Sequence, residues 1–295
     1  MMSKNMFSQI LSTLEVFHLE TGEREIIYND TTHFEAPNWS PDGSFLIFNS
    51  EGRLYRFDLE TKTKDLIDTG HLNTLNNDHG FSPDGSEIVI SAYNPPEDAE
   101  IPEQNWLTSK IYTLPVTGGL PKLITKNYPS FWHGWSPDGK TLAFTGRRQG
   151  DFNIYTIDIN SKEEIQLTSA PGLDDGPEYS PNGKYIYYNS MQSGKMELWR
   201  MNSDGDNKLQ LTNDSFSNWF PHPSPEGNSL VYIAYLEDQG ADHPPMKNVA
   251  LRLFNLKDKS IKTLCEFIGG QGSINVPSWS PDGKKFAFVS YKFME

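Results

Sequence analysis

Six copies of a short turn sequence recur along the chain, and this repeat constrains the fold more than any other feature. Each copy reads Ser-Pro, then Asp, Asn or Glu, then Gly, and five of the six follow an aromatic residue. The Ser-to-Gly segments occupy positions 40–43, 82–85, 136–139, 180–183, 224–227 and 280–283. Their serines are 42, 54, 44, 44 and 56 residues apart. A period in the forties is typical of the blades of a β-propeller.

The repeated segment has the chemistry of a tight turn between two strands. Proline presets φ, aspartate bonds its own backbone, and glycine supplies a positive φ. Alternating apolar runs such as KTLAFTG (140–146) follow the turns, and this arrangement predicts a hairpin. A third segment, such as NIYTIDINS (153–161), and a short fourth, such as EIQLTSA (164–170), come next. We therefore expect four short antiparallel strands per repeat, since no window shows a sustained helical period.

The two ends of the sequence each supply half of a repeat. The segment 14–30 matches the third and fourth strands, and the segment 277–291 matches the first and second. Joined, they complete a sixth blade and close a ring whose sheet edges would otherwise be exposed. The sequence thus predicts an all-β, six-bladed β-propeller. It forms one domain over residues 1–295, and N-terminal and C-terminal strands together close its last blade.

Charge and composition exclude several classes of function. The net charge is −14, which argues against a nucleic-acid partner, because phosphate binding needs clustered Lys and Arg. No run is long enough to span a membrane, and the start lacks the apolar core of a signal peptide. We expect a soluble protein of the cytoplasm, or of the periplasm if a leader peptide has been removed. Cys265 is the only cysteine, so no disulfide forms within the chain.

The repeat Trp-Ser-Pro-Asp-Gly-Lys followed by LAF or FAF resembles the repeats of TolB-type six-bladed β-propellers over nearly the whole chain. The resemblance implies the fold, but such blades occur in transport-accessory proteins, in peptidase propellers and in lyases. The sequence shows no separate domain before the propeller, as TolB has, and no Gly-x-Ser-x-Gly elbow of a hydrolase. It also partly resembles oligogalacturonate lyases, propellers whose channel mouth holds a manganese site of histidines and a glutamine; their blade count and length differ.

Polar residues in front of each turn vary from repeat to repeat, unlike the turns themselves. The first strand of a blade lines the central channel, and the loop leading into it opens on the face opposite the turns. These residues should therefore surround one channel mouth. In chain order they are His33 and Glu35; Asp78 and His79; Trp132 and His133; Asp174, Asp175 and Glu178; Asn218, Trp219 and His222; Gln271 and Asn275.

This predicted cluster suits binding, catalysis or a plain water-filled channel. Imidazoles beside carboxylates suit Mn or Zn, and carboxylates alone suit Ca, so a divalent cation is the cofactor to expect if histidines act as ligands. A histidine beside a carboxylate also suits acid–base catalysis, and Trp132 and Trp219 suit stacking on a sugar ring. In the simplest alternative, these groups only satisfy backbone and ordered water. No short-spaced metal motif such as His-Glu-x-x-His is present.

Two insertions fall between second and third strands, on the same face as the predicted mouth. They cover residues 93–110 and 236–252, and acidic, Pro-rich loops there would wall a pocket. His243, Lys247 and Arg252 would reach over its rim, and Arg147 and Arg148 occupy the corresponding loop of the third repeat. An arginine pair suits a substrate carboxylate or phosphate. The alternative is solvated surface loops.

Three functional interpretations remain open. The leading one is a TolB-like module that binds a small polar ligand, such as a sugar, or a protein at the channel mouth. Its binding residues would be Asp78, Trp132, Asp174, Asp175, Glu178, Trp219, His243 and Asn275. The second is a carbohydrate-active, metal-assisted lyase or a hydrolase. There His79, His133 and His222 would be metal ligands or bases, and Arg147 would hold the substrate. The third is a purely structural propeller.

Overall fold

The computed structural model describes residues 10–93 and 105–294. These residues form β-strands and one short 3₁₀ helix, Asn105–Thr108. The strands make six antiparallel sheets, one for each predicted blade. The all-β, six-bladed propeller that the repeat predicts is therefore confirmed. Within the described residues, no helix has the length and apolar character needed to cross a membrane.

The first three blades each use four consecutive strands. Those of the first blade are β3 (Phe34–Trp39), β4 (Phe45–Ser50), β5 (Arg53–Asp58) and β6 (Lys64–Leu66). Those of the second are β7 (Leu75–Phe81), β8 (Glu87–Tyr93), β9 (Ser109–Pro115) and β10 (Lys122–Leu123). Those of the third are β11 (Ser130–Trp135), β12 (Thr141–Gly146), β13 (Asn153–Asp158) and β14 (Glu164–Gln166).

The fourth and fifth blades repeat this pattern, and the sixth is built from both ends of the chain. The fourth contains β15 (Asp174–Tyr179), β16 (Tyr185–Ser190), β17 (Glu197–Asn202) and β18 (Leu209–Gln210). The fifth contains β19 (Ser217–Pro223), β20 (Ser229–Tyr235), β21 (Lys247–Asn255) and β22 (Ile261–Gly269). The sixth contains β1 (Ile10–His18), β2 (Arg24–Asp30) and β23 (Lys285–Phe293), in the order β2-β1-β23.

The sixth blade differs from the others in its innermost position. There the described chain makes only an isolated bridge between Trp279 and Phe286. The preceding segment contains Gly270 and Gly272, both at positive φ, and glycine at such angles does not continue a regular strand. The β1–β23 junction of this blade is regular, with nine residue pairs from Ile10 opposite Phe293 to His18 opposite Lys285. The pairing of β1 with β2 shifts register between Leu14 and Glu15.

The repeated turns work as their sequence predicts. In the first turn the Ser40 hydroxyl donates to Asp42 Oδ1 at 2.7 Å, the amide of Ser44 donates to the same oxygen at 3.0 Å, and Gly43 has φ 75°. Asn182 takes the same place in the fourth turn, accepting from Ser180 at 2.9 Å. Asn182 thus shows that the acceptor two residues after the serine need not be charged. In the fifth turn the Ser224 hydroxyl donates instead to Asn228 Oδ1, at 3.0 Å.

Apolar side chains fill the space between neighbouring blades. One cluster joins Phe48 of the first blade to Val289 of the sixth, and another joins Ile47 of the first blade to Ile88 of the second. All six residues of β4 are buried, as expected for a strand covered on both faces. Each blade is thus held by both of its neighbours, and the ring stabilises itself as it closes.

The inner strands of the first five blades share an irregularity. Each changes register against its neighbouring strand a few residues before the turn. Ala36, Gly176 and Phe220, each four residues before the turn serine, have positive φ of 58°, 62° and 53°. A bulge of this kind re-aims the side chains beside it. The bulges therefore decide which polar residues point into the channel.

A buried ion pair fastens the N-terminal strand into the sixth blade. Glu15 accepts two hydrogen bonds from Arg24, at 2.7 and 2.8 Å, and a third from the Ser290 hydroxyl of the neighbouring strand. Its side chain is only 6% exposed. Removing Glu15 would leave the Arg24 guanidinium and the Ser290 hydroxyl without this hydrogen-bond acceptor.

We predict that Glu15→Ala lowers the free energy of unfolding by about 2–3 kcal/mol. Glu25 of the same blade is the matched control, since it is half exposed and pairs with His18 at 3.0 Å. Glu25→Ala should cost less than about 0.5 kcal/mol. Urea unfolding followed by tryptophan fluorescence measures both, and equal effects would contradict a role of Glu15 in closing the ring.

Candidate functional site

A cavity of about 430 Å³ opens at the channel mouth, on the face opposite the repeated turns. Inner strands β7, β11, β15 and β19 contribute its floor, together with the irregular inner segment of the sixth blade. Loops of the second, third and fifth blades form its walls. The polar floor residues are Asn76, Asn77, Asp78, His133, Thr145, Asp175, Gln271 and Asn275.

A second cavity of about 530 Å³ adjoins the first. The two share four lining residues, Asn76, Asn77, Tyr93 and Gln271. The second is polar and contains Glu35, whose pKa is raised by burial. The mouth is therefore a wide depression with one part walled by aromatic rings and one polar part.

Asp175 and His133 form the central contact of the mouth. His133 Nε2 lies 3.2 Å from Asp175 Oδ1, and the same oxygen accepts from the Thr145 hydroxyl at 2.7 Å and from the Gly176 amide at 2.8 Å. Burial by itself would raise the pKa of Asp175, but the hydrogen bond from His133, its charge and these donors hold it at about 2. Asp175 is therefore an anion at neutral pH.

The His133 ring faces an acceptor at each nitrogen. Nε2 contacts Asp175, and Nδ1 lies 3.4 Å from the carbonyl oxygen of Asn275. Only the imidazolium can donate from both nitrogens. Burial alone lowers the pKa of His133, but the bond to Asp175 and the charges of Asp78 and Asp175 outweigh it, so the pKa is raised. The acceptor at each nitrogen and the direction of this shift both favour the imidazolium form of His133 beside the Asp175 carboxylate.

Asp78 lies on the same floor in a different electrostatic state. One oxygen accepts from Asn76 Nδ2 at 2.6 Å, and the Asp78 amide donates to Asn76 Oδ1 at 3.0 Å. Burial raises the pKa of Asp78 to about 7; the charge of His133 opposes the rise and that of Asp175 adds to it. The pKa values of two carboxyls in one cavity are therefore shifted in opposite directions, upward for Asp78 and downward for Asp175. A carboxyl poised near neutrality can give or take a proton.

Aromatic side chains form the wall of the first cavity. Trp106, Phe131 and Phe152 pack together with ring centroids 6.0–6.3 Å apart. Phe220 stacks on His133 with centroids 5.8 Å apart and an interplanar angle of 20°. Its backbone has φ 53°, the conformation that Ala36 and Gly176 adopt at the same position of their inner strands. The cavity thus presents ring faces above a charged floor.

The fifth-blade insertion brings His243 to the rim, as its sequence predicts. His243 Nε2 lies 3.6 Å from Asp175 Oδ2, and the ring meets Trp219 and Phe220 edge-on. The Tyr235 hydroxyl donates to the carbonyl of Pro244 at 2.9 Å and holds the loop in place. Of the second-blade insertion, residues 94–104 lie outside the described residues, while Trp106 reaches the cavity wall.

Several predicted site residues do not line the mouth, because they pack inside the blades. Trp132 and Trp219 are fully buried core residues, and a Cβ on Gly80 would come within 2.3 Å of the Trp132 ring. Asp174 lies beside the Ser190 and Thr168 hydroxyls, away from the cavity, and burial raises its pKa. Asn218 donates to Glu197 at 2.8 Å inside the fifth blade.

The three histidines predicted as metal ligands do not meet. His79 is fully buried without a well-aligned hydrogen bond, and burial lowers its pKa to about 4; the nearby backbone of Ala36 and Ile47 opposes this only partly. His222 contacts Glu178 at 2.6 Å, and Glu178 borders the channel at its other end. In the described part of the chain, no group of three or more His, Cys, Asp or Glu is arranged to hold a metal ion.

The predicted basic residues are mostly engaged elsewhere. Arg148 binds Glu164 at 2.9 Å and the carbonyl of Pro129 at 2.8 Å. Arg252 binds Asp214 at 2.5 Å, and Lys247 is exposed. Arg147 lies over the Phe152 ring, 5.1 Å from its centroid. Its guanidinium therefore borders the aromatic wall without lining the cavity.

Sequence reasoning missed the wall residues Phe131, Phe152, Phe220 and Trp106, and the floor residues Asn76 and Asn77. Strand alternation gives one signal for them, because Phe131 and His133 are two residues apart on β11 and share a face. If His133 points into the channel, Phe131 does so too, and Trp132 points away. The bulge in β7 hides the corresponding pattern there, since Asn76, Asn77 and Asp78 all reach the cavity.

We predict a pH-dependent stability difference between the wild type and Asp78→Asn. The raised pKa means that folding favours the protonated carboxyl, so its contribution is complete below the ordinary pKa and is lost as the pH rises through about 7. The variant should gain stability relative to the wild type from pH 4 to 7, by at most about 1.4 kcal/mol per pH unit. The gain should level off above that range.

Urea unfolding at pH 5 and pH 8 measures this difference, with Asp84→Asn as the control. The hydrogen bond from Ser82 lowers the pKa of Asp84 to about 2, and Asn182 shows that asparagine suits this kind of turn. The control should therefore behave alike at both pH values. A pH-independent Asp78→Asn difference would show that Asp78 titrates in its ordinary range.

Comparison with known proteins places this chain in a family. The TolB β-propeller domain family matches residues 107–264. An uncharacterized protein of Agrobacterium fabrum is 44% identical over 95% of this chain and 92% of its own length. A solved structure from Agrobacterium tumefaciens, provisionally described as TolB, is also 44% identical, with a TM-score of 0.89 over 96% of this chain and 99% of that one.

More distant structures share the fold. TolB of Acinetobacter baumannii has a TM-score of 0.64 at 20% identity, over 90% of this chain and 65% of that one. An oligogalacturonate lyase in complex with manganese has a TM-score of 0.53 at 13% identity, over 87% of this chain and 67% of that one. At such identities the likeness concerns the propeller alone. The family match covers residues 107–264, and the relative from Agrobacterium fabrum is 44% identical over nearly the full length of both chains. The chain therefore belongs to the TolB β-propeller domain family.

Proposed function

We propose that the protein is a binding module whose channel-mouth cavity takes a small polar ligand with one apolar face, such as a sugar. The observation that carries the proposal is the pairing of an aromatic wall with a floor of fixed carboxylate, imidazolium and carboxamide groups. Ligand sites commonly combine apolar walls with a few placed polar groups. A cavity of about 430 Å³ is within the usual range for a small molecule.

The floor offers directional groups to such a ligand. Gln271 uses its Oε1 to accept from Asn275 at 3.1 Å, and its amide nitrogen stays available as a donor. Asp78 has one oxygen bonded to Asn76 and one without a hydrogen bond among the described residues. Asp175 is held by protein donors on one oxygen and by the rim residue His243 near the other. Sugar hydroxyls both donate and accept, which suits this mixture.

Acid–base catalysis is the second candidate, and the titration of Asp78 favours it. The Asp78 carboxyl has a pKa near 7 and lies beside an imidazolium and an ionised carboxylate. Neighbouring groups whose pKa values differ in this way can take the acid and base roles of a proton transfer. In this role Asp78 would give or accept the proton, and His133 and Asp175 would stabilise charge. A bound sugar that is chemically changed over time would favour this candidate over a pure binding role.

Ligand-observed NMR with a panel of mono- and disaccharides tests the binding proposal. For a sugar that binds, Asp175→Asn should weaken the affinity about ten-fold, or ~1.4 kcal/mol, because a charged acceptor of the floor is lost. Asp174→Asn is the matched control: Asp174 is the neighbouring carboxyl, equally buried, on the opposite face of the same strand. It should leave the affinity within about two-fold.

Two results would overturn the proposal. One is saturation transfer to none of the sugars, with protein that is folded by its near-UV spectrum. The other is an equal loss of affinity in both variants, which would place the ligand away from the mouth. Binding of a protein segment, and of no sugar, at the same residues would replace the small ligand by a macromolecular one.

A further inference from the structure

A third cavity, of about 260 Å³, opens at the other end of the channel, on the face of the repeated turns. Its walls contain the aromatic residues that directly precede five of the six turns, together with Trp132 and several prolines. The aromatic residues are Trp39, Phe81, Trp135, Tyr179 and Trp279. Since the repeat places one such residue in each of these blades, the ring of aromatics follows from the symmetry of the fold.

The indole rings offer carbon surface to this cavity. The Nε1 atoms of Trp39 and Trp135 are buried away from solvent, and Nε1 of Trp279 donates to the carbonyl of His222 at 2.9 Å. The polar edges of these rings thus point into the protein. The part that lines the cavity is therefore carbon, and the faces of such rings carry partial negative charge.

Glu178 is the one carboxyl among the residues that line this cavity, and none of them is Lys, Arg or His. Its Oε2 binds His222 Nδ1 at 2.6 Å, while His222 Nε2 donates to the carbonyl of Ile274 at 2.7 Å. One proton is therefore shared between Nδ1 and Oε2. The carboxyl group of this pair lines the cavity and the imidazole does not. Burial raises the pKa of Glu178, and the charge and hydrogen bond of His222 oppose the rise.

We propose that this turn-face cavity binds a small organic cation, such as a trimethylammonium group. Aromatic faces with a carboxylate are the arrangement that stabilises a weakly hydrated cation. The chain already shows this interaction at the same ring, because Lys285 Nζ lies 5.6 Å from the centroid of Trp39. An anion would meet no positive group among the lining residues, and the volume suits a single headgroup rather than a larger ligand.

Titration with choline, compared with its neutral isostere 3,3-dimethylbutan-1-ol, tests the proposal by tryptophan fluorescence and calorimetry. The two probes have nearly the same shape and differ in charge. We expect choline to bind saturably, and the alcohol to bind about ten-fold more weakly or not at all. Equal affinity for both would overturn the cation assignment, and no binding of either would overturn the site.

Two variants locate the site. Glu178→Gln keeps the size of the side chain and should weaken choline about ten-fold. The control is Asp138→Asn, which removes one negative charge from an exposed turn of the same face, where Asn182 shows that asparagine fits. It should change the affinity by less than about two-fold. Equal losses in the two would overturn the site and show only a general attraction of the acidic face.

A third variant tests the aromatic wall. Trp135→Leu replaces the aromatic residue before the third turn by a non-aromatic one, as Pro223 does before the fifth turn. The folded variant should bind choline a few-fold more weakly.

Discussion

The structure depends on the closure of the ring between β1 and β23. Nine residue pairs join the two ends of the chain, and the Ser290 hydroxyl donates to Glu15 across the same junction. Glu15 also forms an ion pair with Arg24 of the adjoining strand β2. Closure places six inner segments around one axis, with packing between every pair of neighbouring blades. The polar side chains of these segments then have to satisfy one another, because little solvent reaches them. Both ends of the channel, and the sites proposed there, follow from this arrangement.

The buried carboxyls and histidines of the channel have different hydrogen-bond partners, and these partners set their protonation states. Asp175 accepts from three donors on one oxygen and remains ionised. Asp78 accepts one side-chain hydrogen bond, from the Asn76 carboxamide, and its pKa is raised to about 7. His133 lies between acceptors and takes the positive charge. The same chain also buries His79 beside backbone groups of Ala36 and Ile47 but no carboxylate, and burial lowers the pKa of that ring to about 4. The partners, and not the residue type, decide which histidine carries charge.

The sequence predicts the fold well because the repeat and its turns are local. Ser-Pro-Asp-Gly sets the hairpins, and the half-repeats at both ends predict how the ring closes. The sequence also places Asp78, His133, Asp175, His243 and Asn275 near one mouth, where the structure has them. It does not predict that Trp219 turns inward, or that Asp174 turns away. Those directions depend on bulges at the register changes of the inner strands, and a one-residue shift reverses the face of a side chain.

The most direct test is the charge of His133, measured by nitrogen-15 NMR of the imidazole from pH 5 to 9. With Asp175 at one ring nitrogen and the carbonyl of Asn275 at the other, both nitrogens should carry protons, and the midpoint of titration should lie above the ordinary histidine pKa of about 6.5. Asp175→Asn should lower that midpoint. A ring that is neutral throughout this range, or a midpoint unchanged in the variant, would contradict the charged floor on which the account of the channel mouth rests.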